Sequence, residues 1–390
     1  MSHIVFLSSY FFNKPSANGI CAVNLVNELR SNNHSVDVIC YGPQGKETDE
    51  KVFFVKEKKL NEKSFFRKIL LLINPAKANL DNNLICNYVN TIETINSRHK
   101  IDAVVGMFFP LESAEALRRI KRKFPQIMVL LYELDSIGDG VNKPSNWLSH
   151  NSYKRWLTRC YMAIDSIIIM KSHNDYWKKV FGHLFFEKSI VSDLPLLLKR
   201  NISTDFCKKN QMIYTGSLDL KYRSPIDALK ILVEAYKSVD FKIAFYSKGN
   251  CEGVLNDYSK HHKWITVNGY ISNNLLTQKI EEAEYLVSVG NSYSNSVPSK
   301  LIDYISYKKS IIHFTSCDND VCVDYLSHYH KALIVDVRDN LYKNSEKLSN
   351  FLLESKSATL KEFDLDFFYK NTPEYNANLI TKALKNGQPK

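Results

Sequence analysis

Four polar residues in the last third of the chain have the spacing of an anion-binding face: Ser296, Ser299, Lys300 and Asp303. They stand at i, i+3, i+4 and i+7, so in a helix they share one face. A short β-branched strand over 286–289 precedes them. A helix N-terminus after a strand attracts negative charge through its free N–H groups and its dipole. The pattern therefore predicts hydroxyls and a cation for a diphosphate, and a carboxylate one turn further on for ribose hydroxyls.

The opposite face of the same predicted helix is apolar, with Leu301, Ile302 and Ile305 in one arc. We expect the helix to begin near Ser296, a favourable N-cap residue, with Pro298 in its first turn. By itself the pattern is also typical of an amphipathic helix with a solvated polar face. Both interpretations remain open on this stretch alone.

The composition indicates a globular protein with an anionic partner. A length of 390 residues favours two domains, and the hydrophobic fraction of 44% is normal for a folded protein. The chain has 52 Lys and Arg against 41 Asp and Glu, a formal net charge of +11. This excess suits a phosphate-bearing substrate, a membrane surface or nucleic acid. The basic residues are dispersed and no RNA-binding or helix-turn-helix pattern occurs, so nucleic acid is not expected.

Eight cysteines are scattered along the chain without a CxxC pair. We expect buried thiols in a reducing compartment and no metal site. The apolar N-terminal stretch over 4–12 lacks a charged region and a cleavage site, so it is predicted to be a first strand rather than a signal peptide. No run of about 18 apolar residues predicts a transmembrane helix. These features favour a cytoplasmic protein.

Residues 54–80 interleave basic side chains with an apolar run. One interpretation is an interfacial segment that lies against anionic lipid, which would place the protein peripherally on the inner face of the cell membrane. The other interpretation is an ordinary core helix with basic flanks.

The first half of the chain alternates strands and helices, with strands predicted over 4–8, 36–41, 101–107, 127–131 and 165–170. This rhythm predicts a doubly wound parallel sheet, and the absence of GxGxxG disfavours an NAD enzyme. Glu133 and Asp135 follow the strand over 127–131. Since ligands of open α/β sheets bind beyond the carboxyl ends of strands, both acids are candidate site residues. A turn or a helix cap is the alternative.

The second half repeats the alternation after a polar segment over 198–209, and its motifs resemble those of the donor-binding domain of type-B glycosyltransferases. The resemblance is strongest to family four, the retaining and metal-independent group. The matching stretches are YTGSLDLKYRSP (214–225), FKIAFYSKG (241–249), VNGYIS (267–272), AEYLVSVG (283–290) and SVPSKLIDYISYKKSII (296–312). In the first half, NGICAVNLVNELRSNNHSVDVI (18–39) matches more loosely. The resemblance implies an α/β fold of two Rossmann-like, doubly wound parallel-sheet domains facing a central cleft.

The resemblance also implies a division of the chain and a function. Residues 1–197 would be an acceptor-binding domain, 198–209 a linker and 210–365 the nucleotide-sugar domain, with a helix in 366–390 crossing back to the first domain. The implied reaction moves a sugar from a nucleotide-diphosphate sugar to a saccharide acceptor. A lipid-linked acceptor in bacterial surface-polysaccharide biosynthesis fits the basic charge.

By position, the resemblance assigns donor binding to twelve residues: Gly19, Gly216, Ser217, Lys248, Tyr270, Ile271, Asn295, Ser296, Val297, Pro298, Ser299 and Asp303. Gly216 and Ser217 would lie under the diphosphate. Tyr270 would hold the base through its main chain, and Asp303 would bind the ribose.

The chain departs from the family pattern where charge is expected. Ser217 stands in place of an Arg and Tyr222 in place of a Lys, so Arg223 is expected to take over the cationic role. The family's paired glutamates fall on Asn295 and Asp303, and Asn295 cannot carry a charge.

Catalytic roles are expected for Asp135, Arg223 and Lys300. Arg223 and Lys300, with the helix N-terminus, would offset the charge of the leaving diphosphate without a metal or other cofactor. Asp135 would bind the acceptor or stabilise the reacting sugar, and Glu133 would contact the acceptor. The alternatives are a catalytically inactive scaffold of the same fold, a polyanion-binding protein, and an epimerase or phosphorylase.

Overall fold

The computed structural model describes residues 1–9, 11, 17–41, 49–56, 69, 71, 75–108, 110–134, 147–182, 187–200, 207–292, 297–354 and 365–387. The chain forms two compact units, the first comprising residues 1–196 and 370–390 and the second residues 197–369. Each unit is built around one parallel β-sheet.

The sheet of the first unit has seven strands in the order β3-β2-β1-β4-β5-β6-β7. The strands are β1 (His3–Ser9), β2 (Ser35–Tyr41), β3 (Val52–Val55), β4 (Ala103–Phe108), β5 (Met128–Glu133), β6 (Ser166–Met170) and β7 (Ser189–Ser192). All neighbours pair in parallel. The strand order reverses between β1 and β4, which is the switch point of a doubly wound sheet.

The described helices of the first unit include one from the C-terminus of the chain. They are Ala17–Ser31, Pro75–Ala78, Asn82–Arg98, Leu111–Lys123, Trp147–Ala163, Asn174–Phe181 and Pro373–Gly387. The last of these returns to the sheet, where Asn376 Oδ1 accepts a 2.6 Å hydrogen bond from the Tyr132 hydroxyl. The C-terminal residues therefore belong structurally to the first unit.

Burial explains why the strands of the first unit are almost continuously apolar. In β1, the side chains from Ile4 to Leu7 are all fully buried, because helices cover both faces of a parallel sheet. The Asn82–Arg98 helix shows the complementary pattern, with one apolar stripe that includes Leu84, Tyr88 and Ile92.

The sheet of the second unit has six strands in the order β10-β9-β8-β11-β12-β13. The strands are β8 (Lys208–Leu218), β9 (Lys242–Gly249), β10 (Ile265–Val267), β11 (Ala283–Val289), β12 (Ser310–Thr315) and β13 (Ala332–Asp336). The helices are Ile226–Tyr236, Glu252–His261, Asn273–Glu282, Ser299–Ser306, Val321–Ser327, Leu341–Glu354 and Leu365–Phe368. Here the order reverses between β8 and β11. The predicted fold class, α/β with two doubly wound parallel sheets, is confirmed.

Several boundaries differ from the prediction. The first helix begins at Ala17, so Gly19 lies in its first turn and is buried there, instead of in a loop. Strand β8 begins at Lys208, inside the segment expected to be a linker. β3 was not predicted, because it is a four-residue edge strand next to the basic run.

The segment 54–80 is described only in part. Its first residues finish β3, and Ile69 and Leu71 expose 39% and 37% of their surface. The Pro75–Ala78 helix then buries Ala76 and Ala78. The remainder of the segment lies outside the described residues. Among the helices in the described part of the chain, none is both long enough and apolar enough to span a bilayer.

Candidate functional site

The candidate site lies in the second unit, where the order of the strands reverses. β8 and β11 are neighbours in the sheet, and the chain leaves them toward opposite sides. Ligands of open α/β sheets bind at this point, beyond the carboxyl ends of the strands. Gly216 and Ser217 stand at the end of β8, and Gly290 and Asn291 follow the end of β11.

Arg223 connects the segments that follow these two strands. Its guanidinium donates from Nε and Nη2 to Asn291 Oδ1 at 3.0 and 2.7 Å, and from Nη1 to the carbonyl oxygen of Ser217 at 3.3 Å. A backbone bond from Ser292 N to the Tyr222 carbonyl oxygen, 2.8 Å, joins the same two segments. Both acceptors of these three hydrogen bonds, Asn291 Oδ1 and the Ser217 carbonyl oxygen, are neutral, so the positive charge of Arg223 stays available to an anion.

The turn that presents Arg223 is stabilised locally by Asp219. Its Oδ1 accepts hydrogen bonds from the backbone N–H groups of Lys221 and Tyr222, both at 2.9 Å, an Asx-type turn. The backbones of Asp219 and Arg223 also exchange two hydrogen bonds, at 2.8 and 3.1 Å. Arg223 is thus held at a fixed position at the end of the turn.

Gly216 brings the backbone close to the stem of Lys300. Its φ is +134°, a conformation that side-chain-bearing residues rarely adopt. A Cβ atom placed there would lie 3.7 Å from the Tyr214 hydroxyl and 3.9 Å from Lys300 Cγ. The Tyr214 hydroxyl donates a 3.0 Å hydrogen bond to the Ser217 carbonyl oxygen, and this bond stabilises the same turn. The structure therefore places four residues of the predicted site close together: Gly216, Ser217, Arg223 and Lys300.

The Ser299–Ser306 helix that carries Lys300 is anchored to β8. The Tyr304 hydroxyl accepts the backbone N–H of Thr215 at 2.8 Å and lies 2.9 Å from the Thr215 hydroxyl. Burial raises the pKa of Tyr304 well above its usual range, so it remains a neutral phenol. The apolar face predicted for this helix is confirmed, since Leu301 and Ile305 are buried.

The start of that helix differs from the prediction. Pro298 is the N-cap residue, with φ −60° and ψ 122°, and its own side chain makes no capping hydrogen bond. The predicted N-cap residue, Ser296, precedes the helix, because Pro298 itself fixes the extended entry to the first turn. Asn295 and Ser296 lie outside the described residues. Val297, Pro298 and Ser299 lead into the helix and are partly exposed.

Asp303 is more heavily engaged than the sequence suggests. Its Oδ1 accepts a 2.8 Å ion-paired hydrogen bond from Arg200 Nη2, and its Oδ2 lies 3.3 Å from Lys300 Nζ. Arg200 also donates to the Ser306 hydroxyl at 2.8 Å and stacks on Tyr307, 4.0 Å from the ring centroid. Each carboxylate oxygen keeps a further lone pair, so Asp303 can still accept from a ligand, but it does so as part of an ion pair.

Lys248 lies in β9, which is next to β8, and Tyr270 and Ile271 follow β10, the next strand of the sheet. Lys248 pairs in register with Ser217 across β9 and β8, and its Nζ is 5.9 Å from the ring centroid of Tyr270. Gly269, with φ +63°, turns the chain so that Tyr270 is 59% exposed. These residues therefore flank the Ser217 end of the site and leave an aromatic ring accessible.

A buried hydrogen-bonded pair lies beneath Gly290. His313 Nε2 is 2.9 Å from Asp320 Oδ2, and His313 Nδ1 is 3.1 Å from the Ser288 hydroxyl. Burial opposes ionisation of Asp320, but His313 and the Cys322 N–H outweigh it and lower the pKa of Asp320 to about 2. A Cβ at Gly290 would lie 2.2 Å from Asp320 Oδ2, so only glycine fits above the pair.

The same region contains a group of three described side chains that could together bind a metal ion. Atoms of His313, Asp320 and Cys322 lie within 4.8 Å of one another and all three are buried. Burial raises the pKa of the Cys322 thiol well above its usual range, and both nitrogens of His313 have hydrogen-bond partners. Asp318, two residues before Asp320, instead pairs with Arg338 at 2.6 Å. The two carboxylates of this Asp-x-Asp run therefore have different partners, Arg338 for Asp318 and His313 for Asp320.

In the first unit, Glu133 ends β5 and is fully buried. Burial raises its pKa to about 8, against a hydrogen bond that Tyr161 donates to Oε1. Among the described residues, Oε2 of Glu133 has no hydrogen-bond partner. Asp135, expected to be catalytic, lies outside the described residues.

Sequence reasoning missed Asn291 and Arg200, which orient Arg223 and Asp303. Asn291 had a usable signal, because it directly follows the glycine at the end of β11. Arg200 had none, since only the folded chain brings it to a residue 103 positions away.

No protein-family model matches the chain, and no curated protein matches it in sequence. Solved structures do match over its whole length. The pneumococcal O-GlcNAc transferase GtfA, in complex with UDP and GlcNAc, has a TM-score of 0.63 at 10% identity, covering 99% of both chains. WaaG, a glycosyltransferase involved in lipopolysaccharide biosynthesis, has a TM-score of 0.59 at 11% identity, covering 98% of both chains.

An enzyme of another class shares the fold. The UDP-GlcNAc 2-epimerase from Methanocaldococcus jannaschii has a TM-score of 0.58 at 13% identity, covering 98% of this chain and 100% of its own. At such identities the likeness establishes the two-domain α/β fold alone. The residues of the site must therefore decide what the chain does.

Proposed function

We propose that this chain is a glycosyltransferase of the type-B fold that moves a sugar from a nucleotide-diphosphate sugar to a saccharide acceptor. The observation that carries the proposal is the convergence of Arg223, the stem of Lys300 and the positive-φ backbone of Gly216 at the switch point of the second sheet. Two cations beside an open glycine backbone suit a diphosphate, because backbone and side-chain donors can then approach its oxygens closely.

In the proposed reaction, the bond between the sugar C1 and the β-phosphate oxygen breaks. A bond forms between C1 and an acceptor oxygen, and the acceptor's hydroxyl proton goes to the leaving diphosphate. Arg223 and Lys300 stabilise the charge that grows on that diphosphate as the bond breaks. The N-terminus of the Ser299–Ser306 helix adds its dipole to the same stabilisation. Two cations in this position perform the task that a divalent metal performs elsewhere, so the proposed transfer needs no metal.

The remaining donor contacts follow from the neighbouring residues. Tyr270 offers an exposed ring and backbone for the base, and Lys248 stands between it and Ser217. Asp303 accepts the ribose hydroxyls while Arg200 holds its other oxygen. Gly19, in the first helical turn after β1, and Glu133, at the end of β5, lie at the carboxyl ends of strands in the first unit. We assign Gly19 to the donor phosphates and Asp135 to the acceptor side. The acceptor contact expected of Glu133 is not proposed, because its side chain is fully buried.

We further propose retention at the anomeric carbon, a lipid-linked acceptor, and a role in bacterial surface polysaccharide at the cytoplasmic face of the membrane. The net charge of +11 supports an anionic, diphosphate-linked acceptor. The likeness to WaaG, which is involved in lipopolysaccharide biosynthesis, is consistent with this class of product.

A thermal-stability panel tests the function. UDP-, GDP- and dTDP-sugars are added separately, and we expect one nucleotide series to raise the melting temperature by several degrees. The stabilising sugar is then incubated with and without saccharide acceptors while release of nucleoside diphosphate is followed. Release that requires an acceptor supports transfer, whereas conversion of the sugar without an acceptor would indicate an epimerase. A flat response to every nucleotide and nucleotide sugar would rule out the enzyme.

A further inference from the structure

A second charged region lies in the first unit, on two adjacent helices. The Leu111–Lys123 helix places Arg118, Arg119 and Arg122 on one face, at i, i+1 and i+4. The neighbouring Trp147–Ala163 helix exposes Arg155 and Arg159 one turn apart. We name these five arginines the cationic surface.

A buried carboxylate connects the two helices beneath the cationic surface. Glu115, 5% exposed, accepts hydrogen bonds from Arg118 Nη2 at 2.6 Å and Arg119 Nε at 3.1 Å. Its Oε2 also accepts from Trp156 Nε1 of the other helix, at 3.3 Å. Although burial opposes it, Arg118 and Arg119 lower the pKa of Glu115, so the carboxylate stays ionised. One carboxylate therefore holds two guanidinium groups side by side and leaves an excess of positive charge.

The outer part of the surface is not neutralised. Arg122, Arg155 and Arg159 have no ion-pair partner among the residues that the structure describes. The Trp147–Ala163 helix contains no Asp or Glu, and both acids of the Leu111–Lys123 helix, Glu112 and Glu115, are buried. Arg118, Arg119, Arg122 and Lys123 together line one depression in this surface.

An exposed apolar side chain accompanies the arginines. Met162, 67% exposed, lies on the same arc of its helix as Arg155 and Arg159, at i+7 and i+3 from them. Ile69 and Leu71 are also exposed in the first unit. Cations beside an exposed apolar side chain match the chemistry of a bilayer interface, where headgroups are anionic and acyl chains lie just below.

From this arrangement we infer that the cationic surface docks the first unit on an anionic lipid bilayer. The arginines contact the phosphate headgroups, and Met162 enters the headgroup–acyl boundary. This places the docking residues on the two helices, beyond the segment 54–80 in which the sequence suggested them. Bringing the chain to a lipid-linked acceptor is the part that rests on the proposed transferase function. Affinity for the bilayer does not depend on it.

Vesicle flotation at low salt tests the inference with two triple variants of equal charge change. The test variant is R122E/R155E/R159E. The control is K209E/K242E/K263E, which reverses three exposed lysines of the second unit that have no ion-pair partner among the described residues. Wild type should float with phosphatidylglycerol vesicles and not with phosphatidylcholine vesicles. Each basic residue near an anionic surface strengthens binding by roughly five-fold, so the loss of three positive charges and the repulsion of three new carboxylates should weaken partitioning of the test variant by at least about 100-fold. The control should stay within about three-fold of wild type.

Three results would overturn the inference: flotation of the test variant like wild type, an equal loss in both triple variants, or wild-type binding to heparin but not to vesicles. Melting curves establish that both variants are folded. If the test variant does not fold, the milder R155Q/R159Q replaces it, and we expect about a 25-fold loss from that pair.

Discussion

Arg223 donates two hydrogen bonds to a single oxygen, Oδ1 of Asn291, at 2.7 and 3.0 Å. The two residues come from segments after different strands, and they meet where the strand order of the second sheet reverses. A neutral amide orients the guanidinium without cancelling its charge, and this allows Arg223 to act on a diphosphate.

Replacing Asn291 tests this relationship. Asn291→Asp keeps the shape but turns the contact into an ion pair, so the affinity for the nucleotide sugar should fall by about ten-fold or more. Asn291→Ala leaves Arg223 charged but loosely held, and kcat should fall by up to about 100-fold, because small displacements of a catalytic group are costly. Titration calorimetry and initial rates measure the two effects. Equal affinity in wild type and Asn291→Asp would show that Arg223 does not face the donor.

Substitutions of Asp303 and Arg200 distinguish a role in binding the nucleotide sugar from a role in stability. Asp303→Asn removes a ribose acceptor, so KM for the nucleotide sugar should rise about ten-fold while kcat changes little. Arg200→Gln removes the ion pair but keeps the carboxylate, so it should lower the free energy of unfolding by about 1 kcal/mol and leave KM within about three-fold. Initial rates and denaturant unfolding measure both. A KM for Asp303→Asn equal to that of wild type would reduce Asp303 to a structural residue.

Three Gly→Ala variants distinguish a steric cause of destabilisation from a backbone conformational cause. In Gly290→Ala, the new methyl group displaces Asp320 from 2.2 Å, and we expect a loss of about 1–3 kcal/mol in the free energy of unfolding. In Gly216→Ala, no atom lies closer than 3.7 Å, so the similar loss of about 1–3 kcal/mol comes from the backbone at φ +134°.

Gly253→Ala is the matched control for both. It lies in a helix with nothing within 4 Å of the new atom, so it should be neutral or stabilise by up to about 1 kcal/mol. Urea unfolding measures all three variants. A wild-type stability of Gly290→Ala would mean that the His313–Asp320 pair lies elsewhere.

Glu133 makes the stability of the first unit depend on pH, and the sign of that dependence follows from its pKa. Burial raises its folded pKa to about 8 from an ordinary value of 4.5. Its contribution is therefore fully present below pH 4.5, declines as the pH rises and is lost above about pH 8. Glu133→Gln should flatten this decline in the free energy of unfolding. Urea titrations at pH 5, 7 and 9 compare the two proteins, and parallel pH profiles would mean that Glu133 is not buried as a neutral acid.

Much of the fold could be predicted, because burial leaves a direct pattern in the sequence. The strands predicted over 36–41 and 165–170 lie within one residue of their observed bounds, since apolar runs between turn residues define them. Short or exposed elements carry less of this pattern, which explains why β3 and the start of β8 at Lys208 were not foreseen.

The site could be predicted only in part, for the same physical reason. Gly216, Lys300 and Arg223 stand close to strand and helix ends, where local rules apply. The partners Asn291 and Arg200 act through contacts between distant segments, and spacing within one element carries no information about those. The N-cap is Pro298 instead of the predicted Ser296, because a proline before the first turn overrides the capping preference of Ser296.

The most direct test of the proposed transferase is calorimetric titration of the stabilising nucleotide sugar into wild type, Lys300→Ala, Arg223→Ala and the exposed control Lys263→Ala. We expect wild type and Lys263→Ala to bind alike. Each site variant should bind about 10- to 100-fold more weakly, because each loses a charge-assisted contact to the diphosphate, while its melting temperature stays near that of wild type. Binding by both site variants at the wild-type affinity would contradict a diphosphate site at the switch point of the second sheet.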